Sequence, residues 1–142
     1  MAPLIKGNVK VYASTDPDAI PEDVPVAMAD ISDLKMTIIT NDPAKRYYYT
    51  LLFGDKYRVK IATRNVNIPG IQNFRDLGGY PSYSTKKQVR WGMIYRSAEI
   101  DSLECYSRRE LRNLGIKTLI DLRASSETGR QSPLQKEFNV VH

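Results

Sequence analysis

The sequence is poor in the residues on which most metal and covalent chemistry depends. Its 142 residues contain one cysteine, Cys105, and one histidine, His142. A single cysteine excludes an internal disulfide and a CxxC metal site. A single histidine removes most metal sites and most schemes in which histidine is the catalytic base. We therefore expect no metal and no cofactor, and cysteine usage leaves the cellular compartment open.

Long apolar runs are also missing. No run approaches the roughly 18 apolar residues that a membrane-spanning helix requires, so we predict no membrane span. Met1–Leu4 is not followed by the apolar stretch of a signal peptide. The formal net charge is +5, but the basic residues are dispersed rather than interleaved with aromatic residues in a block. This pattern argues against a nucleic-acid partner and is compatible with an anionic substrate.

The first half of the chain, residues 1–68, has the alternating pattern of β-strands. Apolar residues at every second position predict one strand near residues 9–13 and another at residues 34–38. The segment between them, residues 16–25, is rich in Asp and Pro and predicts a loop. No catalytic constellation is visible in this half, so we interpret it as an accessory domain.

A tight hairpin is predicted at Gly54–Asp55, which separates two runs rich in aromatic and branched residues. In its second arm Tyr57, Val59 and Ile61 share one face, and basic residues occupy the other. About four or five strands can be counted, whereas an immunoglobulin or fibronectin sandwich has about seven. We predict a fibronectin-like β-sandwich over residues 1–68 that is either small or incomplete at its front.

The stretch Asn73–Tyr80 (NFRDLGGY) separates the two halves of the chain. Its paired glycines permit positive φ and close approach of another backbone or side chain. Arg75 and Asp76 allow two interpretations. Either they form a local ion pair that holds a tight turn, or Arg75 presents its donor fork to a phosphate. The residues alone leave both interpretations open.

After Asn73–Tyr80 the pattern becomes that of an α/β fold. Val89–Ser97 predicts a short buried stretch, and Ser107–Glu110 (SRRE) has the form of a helix capping box. A short helix is expected to follow, to bury its leucines and to end at Gly115. Residues 116–122 then form an apolar run, which predicts a buried parallel strand.

The residues after that strand are candidates for a binding site. In open α/β sheets, ligands bind outside the carboxyl ends of the strands, and here that end is followed by Arg123. Ser125–Glu127 could cap a following helix. Residues 139–142 have the apolar character of the start of a further strand. The second half therefore reads as the opening of an α/β domain.

Three motifs in this order resemble the N-terminal signature of the bacterial tyrosine-protein phosphatases of the atypical dual-specificity type. They are NFRDLGGY, RWGMIYRSAE at Arg90–Glu99 and LGIKTLIDLR at Leu114–Arg123, with Glu127 close behind. The resemblance implies the first part of an α/β phosphatase domain over residues 69–142. The strand-rich first half resembles the fibronectin-like domain of some secreted Bacteroidetes members, which implies a secreted or periplasmic protein.

The resemblance implies a cysteine phosphatase whose HCxxGxxR loop holds a thiolate nucleophile and cradles the phosphate. Cys105 does not fit that loop, because Glu104 precedes it and Leu111 stands six residues later. We therefore expect the loop to lie beyond residue 142 and this N-terminal portion alone to be inactive. We also expect such a truncated domain to self-associate through exposed sheet edges.

The resemblance also suggests roles for individual side chains. Asp121 matches the family's acidic position and is either a general acid for the leaving group, which requires a raised pKa, or a structural partner of Arg123. Arg123 itself is a candidate contact to the substrate. Arg75 and Asp76 are expected to frame the floor of the active site.

Arg96 completes the set of substrate-binding candidates, which are Arg75, Asp76, Arg96 and Arg123. It is expected either to contact the phosphate or to pair with one of two acids, Asp76 or Glu99.

Two functions from different classes stay open on the sequence. The first is the N-terminal portion of a phosphatase that acts on a phosphorylated protein or another phosphomonoester. The second is a non-catalytic interaction module in which the fibronectin-like sandwich is the functional part. A Cys-x5-Arg loop downstream would decide for the first, and its absence, with a partner or glycan bound to the sandwich, for the second.

Overall fold

The computed structural model describes residues 6–20, 24–39, 42, 45–100, 102–124, 126–127 and 133–142. Contacts divide the chain into two compact units. The first unit comprises Met1–Arg64 with Leu77–Ile94, and the second comprises Asn65–Asp76 with Tyr95–His142. The predicted boundary between residues 68 and 69 therefore falls inside the second unit, and NFRDLGGY is divided between the two.

The first unit is built on a four-stranded antiparallel sheet. The strands are β1 (Asn8–Ser14), β2 (Ala27–Asp30), β3 (Tyr48–Phe53) and β4 (Tyr57–Ala62), and a 3-10 turn, Ile31–Asp33, follows β2. Their order in the sheet is β2-β1-β3-β4. A single antiparallel sheet does not test the predicted fibronectin-like sandwich, which stays a prediction.

The predicted hairpin joins β3 and β4. Phe53 pairs with Tyr57 at its base, so the loop has three residues, Gly54–Lys56. The first two have φ angles of 54° at Gly54 and 57° at Asp55. Two consecutive positive φ angles are the signature of the turn that matches the twist of antiparallel strands. The predicted hairpin is therefore confirmed, but its loop is one residue longer than the two residues predicted.

The strand predicted at residues 34–38 is wrong. The strand in this part of the chain is β2, which lies earlier, and residues 34–38 adopt no strand. Leu34 has a φ of 53°, a left-handed conformation that ends the preceding 3-10 turn and breaks the extended path. Met36 and Ile38 are half-buried and their neighbours exposed, so the alternation reflects burial without strand pairing.

The sheet has one largely apolar face. Register places Val11, Leu51 and Val59 side by side across β1, β3 and β4. Val11 is 1% exposed, whereas in β4 the same face stays open, with Tyr57 63%, Val59 43% and Ile61 41% exposed. The predicted sharing of a face in β4 is confirmed, and the structure adds that this face is uncovered at its β4 edge.

The second unit contains two small sheets and a helix. Its core comprises Ile68, Ile71, Phe74, Leu111, Leu134 and Phe138. The strands β5 (Arg75–Asp76) and β6 (Tyr95–Arg96) pair antiparallel, and β7 (Thr118–Ile120) and β8 (Asn139–Val141) pair parallel. The helix α1 spans Cys105–Asn113, and a 3-10 helix spans Pro133–Lys136. The predicted parallel strand is confirmed, and the α/β phosphatase fold of the whole domain stays a prediction.

The predicted capping box at Ser107 is wrong, although the predicted helix exists. The helix begins three residues earlier than predicted, and its N-cap residue, Glu104, makes no side-chain cap hydrogen bond. Ser107 lies inside the helix, 2% exposed, and its Oγ donates to the carbonyl oxygen of Pro69 at 2.6 Å. The predicted end is confirmed, since Gly115 has a φ of 77° and its N–H donates to Arg112 O at 2.8 Å.

Two segments are less buried than predicted. Within Val89–Ser97 only Trp91 is buried, and Met93 and Ile94 are 59% and 54% exposed. Around β7, Leu119 packs against the core of the second unit, while Ile120 is 69% exposed. Successive strand residues project to opposite faces, and only one face of this sheet meets the core.

No helix among the described residues is long and apolar enough to cross a membrane.

Candidate functional site

The glycines of NFRDLGGY pack against Trp91 in the first unit. A Cβ atom on Gly78 would lie 2.5 Å from the Trp91 Cα and 2.6 Å from its Cδ2. A Cβ atom on Gly79 would lie 2.6 Å from the Trp91 Cζ2, and Gly79 has a φ of 74°. Neither position has room for a side chain, so the glycine pair is explained by packing.

Arg64 holds the same cluster together. Its guanidinium lies 3.8 Å from the centre of the Tyr80 ring and 5.2 Å from that of Trp91. Its Nη1 donates to the carbonyl oxygen of Gly78 at 2.8 Å. An arginine that stacks on aromatic rings and binds a backbone carbonyl has a structural role. No sequence pattern indicated this role of Arg64, because it lies outside the motif that it supports.

The other half of NFRDLGGY lies in the second unit and has a different character. Arg75 is exposed and donates through Nη2 to Asn73 Oδ1 at 2.7 Å, whereas Asp76 is 0% exposed. Adjacent strand residues project to opposite faces. This alternation favours separate roles for the two side chains over the local ion pair that the sequence left open.

Arg96 lies opposite Arg75. The two residues are direct register partners across β5 and β6, and both are exposed. Glu99, one acid that the sequence offered to Arg96, is bound to Arg123 instead, and Asp76 belongs to the opposite, buried face. Among the described residues Arg96 has no carboxylate partner, which favours the interpretation of Arg96 as a phosphate contact.

Asp121 and Arg123 come together directly after β7, at its carboxyl end. The Arg123 Nε lies 3.0 and 3.1 Å from the two Asp121 oxygens, and its Nη2 lies 2.7 Å from Oδ2. The Arg123 Nη1 donates to Glu99 Oε2 at 3.1 Å. A bidentate pair of this kind fixes the plane of the guanidinium. The three side chains form one network, which we call the Arg123 network.

The charge state of Asp121 follows from this arrangement. The Arg123 side chain, and next the backbone N–H of Arg123, donate hydrogen bonds that lower the pKa of Asp121 to about 2. A general acid must carry a proton at the working pH, which requires a raised pKa. The geometry therefore favours the structural alternative, in which an ionised Asp121 orients Arg123.

The turn after the Arg123 network is only partly described. Ala124 N donates to Glu127 Oε2 at 3.1 Å, and Glu127 N donates to Ala124 O at 2.8 Å. These reciprocal bonds close the turn in which a helix start was predicted. Ser125 and residues 128–132, on which that prediction also depends, lie outside the described residues.

Cys105 lies in a helix and not in a loop of the HCxxGxxR form. It is exposed in the first turn of α1, and its Sγ accepts a weak hydrogen bond from Arg108 Nη2 at 3.4 Å. The described part of the chain also contains no group of three or more His, Cys, Asp or Glu residues that could hold a metal ion.

Comparison with known proteins identifies the family. A family model described as the tyrosine phosphatase family matches residues 66–142, which is more than half of the chain. The chain belongs to the tyrosine phosphatase family. The resemblance carried by the three sequence motifs is thereby confirmed.

A similar relative is the triple specificity protein phosphatase PtpB of Mycobacterium tuberculosis. The two sequences are 39% identical over 66 residues, which cover 46% of this chain and 22% of PtpB. The chain therefore spans about a fifth of the length of that relative. All the candidate residues lie inside the segment matched by the tyrosine phosphatase family, namely Arg75, Asp76, Arg96, Asp121 and Arg123.

Proposed function

We propose that this chain is the N-terminal portion of a cysteine-dependent protein tyrosine phosphatase of the dual-specificity type. Its substrate would be a phosphorylated protein or another phosphate monoester. The observation that carries the proposal is the Arg123 network, an oriented guanidinium at the carboxyl end of a parallel strand within the family's segment. Ligands of open α/β sheets bind at this end of the strands.

The Arg123 network supports a role in phosphate recognition. Asp121 is 17% exposed and binds Arg123 through several hydrogen bonds, while Glu99 is 60% exposed and makes a single contact. Exposed ion pairs contribute little to stability, so the Glu99 contact can be lost at small cost. In this proposal a substrate phosphate displaces Glu99 from the Nη1 of Arg123, and Asp121 keeps the guanidinium in place.

The nucleophile would come from outside these residues. The 142 residues contain no cysteine followed six positions later by arginine. The proposed reaction starts when a thiolate attacks phosphorus, forming a phosphocysteine and releasing the ester oxygen, and water then cleaves the phosphocysteine. The proton that the leaving oxygen needs would come from a group other than Asp121, whose carboxylate is held ionised.

Turnover of p-nitrophenyl phosphate tests this proposal. A preparation shown by intact mass to contain only the 142-residue chain should give no turnover. A longer protein that adds a Cys-x5-Arg loop should give turnover that vanadate inhibits and that substitution of the new cysteine abolishes. Turnover by the 142-residue chain itself, lost in Cys105→Ser, would contradict the assignment of the nucleophile.

The second candidate function is an interaction module in the first unit. The observation in its favour is the exposed row Tyr57, Val59 and Ile61 on the sheet, since contiguous exposed apolar residues mark contact surfaces. The partner proposed for this row is a second copy of the chain, and this contact is distinct from the self-association expected at the sheet edges of the truncated α/β domain. Sedimentation equilibrium tests this, and a wild-type chain that stays monomeric at high micromolar concentration would count against it.

A further inference from the structure

Two arginines of the second unit face each other across β5 and β6. Arg75 and Arg96 are direct register partners, and both side chains are exposed. Partners in an antiparallel pair project to the same face, with Cβ atoms about 4.5–5.5 Å apart. Their guanidinium groups can therefore reach one small ligand.

A third polar side chain extends this arrangement. Asn65 forms an antiparallel bridge with Arg75 on the side away from Arg96, and it is also exposed. Asn65, Arg75 and Arg96 thus follow one another across the sheet, and we call them the arginine row. The row offers amide and guanidinium donors on a single face.

The opposite face of the same strands is anchored. Asp76 and Tyr95, the neighbouring register pair, point away from the row, and Asp76 is 0% exposed. The Tyr95 ring stacks on the buried Phe74 with ring centres 5.1 Å apart. The backbone that carries the row is consequently fixed by the core, and Arg75 is further oriented by its hydrogen bond to Asn73 Oδ1.

The two arginines of the row place like charges on the same face of the sheet. Like charges directly opposite each other destabilise a sheet. Glu99, the acid nearest to Arg96 along the described chain, is bound to Arg123. Among the described residues neither Arg75 nor Arg96 has a carboxylate partner. A dianion bound between the two guanidinium groups would remove their repulsion and use their donor forks.

We propose that the arginine row is a phosphate-binding site in its own right, separate from the Arg123 network. Arg75 and Arg96 donate to a phosphate dianion, and Asn65 contributes a neutral donor at one end. The dianion is either inorganic phosphate or the phosphate monoester of a phosphorylated residue. That its natural source is a phosphatase substrate rests on the proposed function, whereas binding of the dianion itself does not require catalysis.

A titration of the 142-residue chain tests the proposal. Arginine Nε–Hε signals are followed by NMR during addition of inorganic phosphate, O-phosphotyrosine and unphosphorylated tyrosine. The expected result is saturable shifts at Arg75 and Arg96 with both phosphate ligands and none with tyrosine. If O-phosphotyrosine binds more tightly, the ester is the source, and equal affinity assigns the site to free phosphate.

Substitutions distinguish phosphate binding at the arginine row from nonspecific attraction of phosphate to a positively charged protein. Arg96→Ala should weaken phosphate binding by about tenfold or more, because charge-assisted hydrogen bonds are lost. The affinity of Arg96→Lys should lie between those of the wild type and Arg96→Ala, because lysine keeps the charge but not the donor fork. Arg58→Ala, which removes an exposed arginine of the first unit, should bind like the wild type. Equal affinity for Arg96→Ala and wild type, or an equal loss in Arg58→Ala, would overturn the proposal.

The stability of the variants provides an independent readout. Without phosphate, Arg96→Ala should melt at the same temperature as the wild type or higher, because repulsion from Arg75 is removed. Phosphate should raise the Tm of the wild type but not that of Arg96→Ala. A clear loss of stability in Arg96→Ala without phosphate would instead show that Arg96 is structural. Since no turnover is measured, failure of this test and failure of the proposed phosphatase activity can be told apart.

Discussion

The two halves of NFRDLGGY do different physical work. In the first unit, the Gly78–Gly79 pair is pressed against Trp91, and the constraint is space. In the second unit, Arg75 and Asp76 alternate between an exposed and a buried face, and the constraint is charge. A continuous motif can therefore combine a packing contact with a strand that exposes an arginine. Substitutions that change side-chain volume and substitutions that change charge should therefore have separate effects on the two halves of the motif.

The largest expected effect lies in the core of the second unit. Leu111→Ala removes a side chain that is 0% exposed, and cavities of this kind cost about 2–5 kcal/mol. Leu122→Ala is the matched control, because Leu122 is 91% exposed. Urea denaturation measures both. Equal losses would mean that α1 does not anchor this unit.

A smaller but still large effect is expected for the glycine pair in the first unit. Gly78→Ala would force a Cβ against the Trp91 backbone, and overpacking costs about 1–3 kcal/mol. Gly115→Ala separates strain from space, since its surroundings are open but its φ is 77°. Near-UV circular dichroism should show a changed Trp91 environment for Gly78→Ala alone. An unchanged spectrum and stability would contradict the packing explanation.

Local patterns predicted some elements of both units, for physical reasons visible in particular residues. The Gly54–Asp55 hairpin and the Gly115 helix end depend on backbone conformations that few residue types accept, so the sequence carries the signal. Ser107 fitted a cap motif equally well, but its hydroxyl donates instead to the carbonyl oxygen of Pro69, 38 residues away in sequence. Such competition depends on tertiary contacts that no short pattern records.

The candidate site could be predicted only in part for the same reason. The resemblance suggested Asp121, at the end of the predicted strand, and Arg123 was identified by its place after that strand. Their pairing was one of the two alternatives for Asp121, and the structure shows it. The resemblance also suggested Arg75 and Arg96, but their position opposite each other depends on strand register. No pattern within either motif encodes that register. The role of Arg64 was missed entirely, because its ring contacts are to residues distant in sequence.

The Arg123 network gives a charge-based prediction for the second unit. The pKa of Asp121 in the folded chain is lowered to about 2 from an ordinary value of 3.8. Its stabilising effect is therefore present above about pH 4 and is lost as the pH falls toward about 2. Carboxyl ¹³C chemical shifts measure this titration directly. In Arg123→Gln the midpoint should move up toward the ordinary value, and Arg109→Gln should leave it unchanged.

The smallest expected effect concerns Glu99, an exposed residue that accepts a hydrogen bond from the Arg123 guanidinium. Glu99→Gln removes an exposed charge and should change stability by no more than about 1 kcal/mol. It should nevertheless remove the negative charge beside the Nη1 of Arg123 and tighten phosphate binding at the Arg123 network, because a competing carboxylate is gone. Arginine Nε–Hε shifts of Arg123 during a phosphate titration measure this. Weaker binding in Glu99→Gln would mean that Glu99 positions Arg123 for the phosphate instead of competing with it.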